Sequence, residues 1–173
     1  MDMTSGRISK EEYYLGIARE VARRSTCFRR SIGAIIVRDD QIISTGYVGA
    51  PRKTKDSTEH GFCLRDNLGI PHGQRYELCR SVHAEQNVII NAARAGVSLL
   101  GGDMYIFGRR AGANESINAF PCFICKKMII NAGLKRVICS TADNTFKIFK
   151  VADWVKDWRE GDILDDMHQY GEK

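Results

Sequence analysis

Two short stretches decide the fold: Ser81-Val-His-Ala-Glu-Gln-Asn87 and Phe120-Pro-Cys-Phe-Ile-Cys125. Each opens a segment with the apolar spacing of an amphipathic helix. His83, Cys122 and Cys125 supply three ligands of the kind a catalytic zinc takes, leaving one position open for water. Cys122 and Cys125 stand at i, i+3 and therefore share a helix face. Pro121 suits a helix start. Thiolates there are favoured by the positive end of the helix dipole, which lowers their pKa. Glu85, two residues after His83, is the candidate acid–base group. It lies near the metal and has no need to bind it.

His-x-Glu alone carries little information, and Cys-x-x-Cys alone fits a redox pair or a structural zinc clip. Together, in this order and with Pro before the first Cys, they form the signature of the zinc nucleobase deaminases. The likeness narrows further. His83-Ala-Glu-Gln-Asn-Val-Ile, Pro121-Cys-Phe-Ile-Cys125 and Met128-Ile-Ile-Asn-Ala-Gly133 resemble the deoxycytidylate (dCMP) deaminase family. Gly46-Tyr-Val-Gly-Ala-Pro51 resembles that family's Gly-Tyr-Asn-Gly-x-Pro loop. Cys63-Leu-Arg65, Leu68-Gly-Ile-Pro71 and Glu77-Leu-Cys-Arg80 resemble its bacterial and archaeal branch. The resemblance runs from about Ile8 to Cys139 and fades beyond.

The resemblance implies an α/β fold, a three-layer α/β/α sandwich around a mixed sheet of about five strands. It implies hydrolytic deamination of dCMP to dUMP with release of ammonia. Hydroxide generated at the zinc attacks C4, and Glu85 moves protons to N3 and to the leaving amine. The backbone at Ala84 and the turn at Cys122 hold the base. Homo-oligomers, dimers or hexamers, and regulation by dCTP and dTTP belong to the same expectation. So does a second, structural zinc on Cys27, Cys63 and Cys79, for which His60 is the nearest fourth ligand and His72 the next. Two positions depart from the family pattern. Val48 replaces an Asn that contacts the nucleotide, and Phe120 replaces a Ser. Arg52, just after the loop, is a candidate phosphate contact.

Outward from the motifs, Ser9 and Glu12 make a candidate capping box for a helix over Lys10–Ser25. Ile32–Val37 reads as a buried strand, followed by a turn and a second strand over Ile42–Tyr47. Residues 49–80 are a long polar connection, which calls for pinning; Cys27, His60, Cys63, His72 and Cys79 are the candidates. Helices are predicted over His83–Ala95 and Cys122–Ala132, each closed by a glycine. Strands are predicted at Met104–Phe107 and Arg136–Cys139, with Cys139 as plain core. The polar loop 108–120 is a candidate lid. Thr141-Ala-Asp-Asn144 is too short for a parallel crossover, so the last strand, Thr145–Val151, is antiparallel. The remainder, 152–173, is an acidic extension carrying Trp154 and Trp158, a candidate terminal helix or subunit contact.

The composition fits one deaminase domain over 1–173: apolar residues make 43% and charged residues 27%. No apolar run is long enough to span a membrane and the first ten residues do not read as a signal peptide, so a cytoplasmic location is expected. Six cysteines then point to thiols and metal rather than disulfides. The net charge of +5 is spread over pairs such as Arg23-Arg24, Arg29-Arg30 and Arg109-Arg110. It suits an anionic nucleotide, and also RNA or DNA, although no basic helix emerges. A free nucleoside, a modified base or another aromatic amine is the alternative substrate that Val48 and Phe120 favour. A nucleic-acid-binding or editing deaminase is the other alternative.

Overall fold

The computed structural model describes residues 6–162. Its centre is a five-stranded sheet in the order β2-β1-β3-β4-β5. The strands are β1 (Arg30–Arg38), β2 (Gln41–Tyr47), β3 (Asp103–Arg110), β4 (Arg136–Ser140) and β5 (Phe146–Lys150). β1 pairs antiparallel with β2 and β3, β3 pairs parallel with β4, and β4 pairs antiparallel with β5. The sheet is therefore mixed, and its last strand runs antiparallel, as the short Thr141–Asn144 connection requires.

Three layers follow from which strand faces are apolar. Helix α1 (Lys10–Ala22) covers one face, where Tyr14, Leu15 and Ala18 meet Ile35, Tyr105 and Ile138. Helices α4 (Ala84–Ala95), α5 (Phe123–Asn131) and α6 (Val151–Glu160) lie against the other, where Val88, Ala92, Ile129 and Trp154 meet Ile36, Met104, Ile106 and Val137. Ile35 and Ile36 are both fully buried although they point to opposite faces. This is why β1 reads as a continuous apolar run instead of an alternation.

Two glycines set how closely the helices approach. A Cβ on Gly33 would lie 2.3 Å from the Ala18 carbonyl oxygen of α1. A Cβ on Gly46 would lie 2.4 Å from the Val88 amide nitrogen of α4. Helix α4 is also tied to β2 by side chains. Asn87 Nδ2 donates to the Tyr47 carbonyl at 2.8 Å, and Asn91 Nδ2 donates to the Thr45 carbonyl at 2.7 Å. Four helical residues rise about 6 Å and two strand residues about 6.8 Å, so the two pairs fit together. Ser44 Oγ donates to the Val88 carbonyl at 2.7 Å. The rotation of α4, and with it the placing of its first turn, is fixed against β2.

Several boundaries differ from expectation. The Ser9–Glu12 capping box is present, but α1 ends at Ala22, earlier than the predicted Ser25. β3 continues beyond Phe107 to Arg110 because its backbone keeps pairing with Ser31 and Arg30. The candidate lid is accordingly shorter and tethered: Ile117 N donates to the Gly108 carbonyl, Ala119 N to the Ser140 carbonyl, and Ala142 N to Asn118 Oδ1. The acidic extension begins as α6, whose Trp154 packs 5.8 Å from Phe149 between ring centroids. The rest of that extension, including any subunit contact made there, lies outside the described residues.

The connection 49–80 holds two single-turn helices, α2 (Ser57–His60) and α3 (Leu64–Asn67), and a 3-10 turn at Tyr76–Leu78. Arginines pin it. Arg29 Nε donates to Asp66 Oδ1 at 2.7 Å and Arg29 Nη2 to the Ile70 carbonyl at 2.8 Å. Arg80 lies 4.6 Å over the Phe62 ring. A guanidinium with five donors can serve several carbonyls in a segment that has no ladder of its own.

Candidate metal centre and its cavity

His83 is the N-cap of α4 and Cys122 the N-cap of α5, with extended backbones at ψ 153 and 170. An N-cap side chain leaves the helix axis at its start, so the two side chains meet where both helices begin. His83 Nδ1 lies 3.5 Å from Cys122 Sγ and 3.4 Å from Cys125 Sγ. The ligand atoms of all three residues lie within 4.8 Å of one another, and no other such group occurs among the described residues. The positive ends of two helix dipoles converge on this cluster. The Cys122 thiol is lowered to about 4, first by its hydrogen bond with Cys125 and then, against the cost of burial, by its hydrogen bond with His83. Cys125 is pushed up well above the ordinary thiol range, by Cys122 first and burial next. A metal bound here takes both sulfurs as thiolates and releases any proton they carry. One imidazole nitrogen and two sulfurs form a donor set that would suit zinc.

Glu85 sits in the first turn of α4 and is 5% exposed. Burial raises its carboxyl above the usual range, while His83 pulls it down and Cys125 hydrogen-bonds to it. The Tyr76 ring stands edge-on to His83, 5.0 Å between centroids at 84°. A cavity of about 580 Å³ opens onto His83, Glu85 and Cys122. That volume is in the range of small-molecule sites.

Residues 8–141 match the family model described as the cytidine and deoxycytidylate deaminase zinc-binding region. The chain belongs to the cytidine and deoxycytidylate deaminase family. Within that family it is 31% identical over 140 residues to a deoxycytidylate deaminase of Schizosaccharomyces pombe, covering 80% of this chain and 39% of the relative. It is 32% identical over 133 residues to that of Mycobacterium phage D29, covering 74% and 91%. The solved dCMP deaminase of cyanophage S-TIM5, in complex with dCMP and dUMP, superposes with a TM-score of 0.55 at 26% identity, covering 76% of this chain and 82% of that one. The chain spans about two fifths of the length of the fungal deoxycytidylate deaminases it matches, 39% and 43%.

The other residues singled out in the sequence of this deaminase-family chain divide. Val48, Ala84 and Phe120 all line the cavity. Val48 is held there by its own amide donating to the Ile32 carbonyl, and the loop is joined to the segment before His83 by a Gly49–Val82 bridge. Phe120 is fixed edge-on against Phe149 at 5.2 Å. Arg52 is not on the cavity wall: it turns away and donates to Asn91 Oδ1 at 2.5 Å. Cys27 and Cys79 also line the cavity, and Cys27 feels Cys79 and Cys63 electrostatically, on top of a larger effect of burial. Cys27, His60, Cys63 and Cys79 do not bring three ligand atoms within 4.8 Å of one another here, and a second, structural zinc on them stays an expectation of the family resemblance. His60 faces Phe62 instead, 6.1 Å away. The sequence reading missed Arg65 and Tyr76 on the cavity wall. Arg65 was in view within Cys63-Leu-Arg65, but nothing in its spacing announced burial.

Proposed function

We propose that this chain is a zinc-dependent deaminase that converts dCMP to dUMP and ammonia. The observation that carries the reading is one buried carboxylate, Glu85, beside a His–Cys–Cys cluster at the wall of a nucleotide-sized cavity. His83, Cys122 and Cys125 hold the zinc, and Glu85 is the catalytic residue. When bound, zinc brings the pKa of a coordinated water to about 7, so hydroxide is accessible at neutral pH. Glu85 accepts the proton of the attacking water and delivers it to N3 of the base. It then passes the second proton to the departing amine, so water is consumed and ammonia released. Its burial, which raises the carboxyl, suits a group that must carry a proton both ways. Ala84 and Val48 shape the wall around the base.

The described residues act as one catalytic unit in this reading. Assembly as a dimer or hexamer and control by dCTP or dTTP are carried by the family resemblance. No helix among the described residues is long and apolar enough to cross a membrane.

A second reading keeps the chemistry and changes the substrate to a free nucleoside or another aromatic amine. It is favoured by Val48, 6% exposed on the cavity wall, whose side chain offers no hydrogen bond. Ammonia release from dCMP, dCTP, cytidine, deoxycytidine and guanine separates the two. The expected result is fastest release from dCMP. Glu85→Gln is expected to lower turnover at least ~100-fold with zinc content unchanged. Turnover retained in that variant overturns the mechanism.

A further inference from the structure

Two residues on the cavity wall, Arg65 and Tyr76, have no part in the chemistry above, yet they stack in series on a metal ligand. Arg65 Cζ stands 4.9 Å over the centroid of the Tyr76 ring. The same ring lies 5.0 Å from the His83 ring, at 84°. The series runs guanidinium, phenol, imidazole. It ends on the group whose Nδ1 faces both Cys122 Sγ and Cys125 Sγ.

The main chain of His83 is fixed by its neighbours. Its amide donates to Gln86 Oε1 at 3.1 Å, its carbonyl accepts from the Asn87 amide at 2.9 Å, and Val82 before it is bridged to Gly49. These bonds leave the side-chain torsions, and so the aim of Nδ1, undetermined. A metal-ligating imidazole is commonly oriented by a hydrogen bond from its second ring nitrogen to a carboxylate, a carbonyl or water. Among the described residues no carboxylate, carbonyl or hydroxyl hydrogen-bonds Nε2 of His83. The ring contact it makes is the edge-on one with Tyr76. Such a pair is directional, because the edge of one ring must meet the face of the other, so turning the imidazole breaks it.

Tyr76 is itself held from two sides. It opens the 3-10 turn, where Leu78 N donates to the Arg75 carbonyl at 3.1 Å and Cys79 N to the Tyr76 carbonyl at 3.0 Å. Behind the ring, Arg65 is 5% exposed and its Nη2 donates to the Pro71 carbonyl at 3.1 Å. Its buried Nε has no hydrogen-bond partner, so stacking, and not a fork of hydrogen bonds, sets it against the ring. A cation this close to a ring centroid is attracted to the face.

We propose that Tyr76 is a positioning residue for the metal centre: its ring, backed by Arg65, fixes the rotation of the His83 imidazole and thereby the affinity and geometry with which the cluster holds zinc. The inference rests on the assignment of His83, Cys122 and Cys125 as the zinc ligands and deepens it. Both contacts of Tyr76 are made through its ring, so the hydroxyl is dispensable for this role.

The test is titration of the zinc-loaded protein with a chromophoric chelator, together with the visible absorption of the cobalt-substituted protein, which reports ligand geometry without turnover. Tyr76→Leu is expected to weaken zinc about tenfold and to shift the cobalt bands. Tyr76→Phe, which keeps the ring, is expected to match the wild type in both. Arg65→Met removes the cation behind the ring, should weaken zinc roughly threefold, and carries the test if Tyr76→Leu does not fold. Wild-type zinc affinity and cobalt bands in the folded Tyr76→Leu or Arg65→Met protein overturn the proposal. So does a loss in Tyr76→Phe equal to that in Tyr76→Leu. Failure of the deaminase reading appears separately, as a wild type that takes up no zinc or releases no ammonia from dCMP.

Discussion

Replacing Gly46 by Ala puts a methyl group where α4 crosses β2. The new Cβ would stand 2.4 Å from Val88 N, 2.8 Å from the Ala84 carbonyl oxygen and 2.9 Å from the Asn87 carbonyl carbon. Ordinary contact begins at 3.4 Å, so helix and strand must part by about 1 Å. All three opposing atoms are backbone, so no side chain can swing aside. Overpacking of this kind costs about 1–3 kcal/mol. For a chain of this size each kcal/mol shifts Tm by roughly 2–4 °C. The expected fall is therefore about 2–12 °C. The consequence for activity is larger, because the displaced first turn of α4 carries Ala84 and Glu85 and is preceded by His83. A misplacement of about 1 Å at reacting groups costs on the order of 100-fold in rate. Gly16→Ala is the matched control, since nothing lies within 4 Å of a Cβ there. In the middle of α1 it should stabilise by about 0.5–1 kcal/mol. The assay is thermal unfolding by circular dichroism alongside ammonia release from dCMP. If Gly46→Ala keeps the wild-type Tm and turnover, the account of how α4 is seated is refuted.

Trp154→Ala removes a side chain 5% exposed in the core beneath α6 and should cost about 3–5 kcal/mol in chemical denaturation; a loss below ~1 kcal/mol would mean that α6 does not dock on that core. Asn87→Ala deletes one bond to β2 and should cost about 0.5–1.5 kcal/mol, with Asn91→Ala adding a similar amount; no change in the double variant would remove the tie between α4 and β2. Asp66 is held below its ordinary value of 3.8, first by its hydrogen bond from Arg29. Because the folded value is depressed, the pair contributes stability above 3.8 that is lost as pH falls through the lower folded value. Asp66→Asn should therefore be less stable than wild type at pH 7 and approach it as pH falls well below 3.8, by urea unfolding at each pH; parallel curves across that range would refute the assignment.

The parts of the molecule that the sequence made legible are those in which chemistry and period coincide. Ser9 and Glu12 announce a helix start because capping needs those two side chains at that spacing. His83, Cys122 and Cys125 announce a cluster because helix starts place them predictably. The antiparallel β5 follows from arithmetic, since Thr141–Asn144 cannot carry a crossover. The connection 49–80 has no period, and its order comes from arginines reaching across it to carbonyls and rings. Reach of that kind leaves no trace in spacing. Arg52 was favoured by nearness to the Gly46–Pro51 loop, yet the chain direction after Pro51 carries it to Asn91, while Arg65, farther along, returns to the cavity. The end of β3 was missed for a related reason: Gly108, Arg109 and Arg110 look like loop, and only the backbone of β1 makes them strand.

The two sides of the sheet are roofed unequally. A single helix about 10 Å across covers one side of a layer whose outer strands stand about 19 Å apart. That helix is α1, and β5 lies beyond its reach. Ile148, opposite Ile138 in the ladder, and Phe146 therefore remain 41% and 36% exposed on that side. Lys150 falls on the same side by alternation, and a charge at a sheet border deters strand-to-strand pairing between molecules. Among the described residues no second helix roofs this border, so Lys150 is the charge that guards it against pairing with another strand.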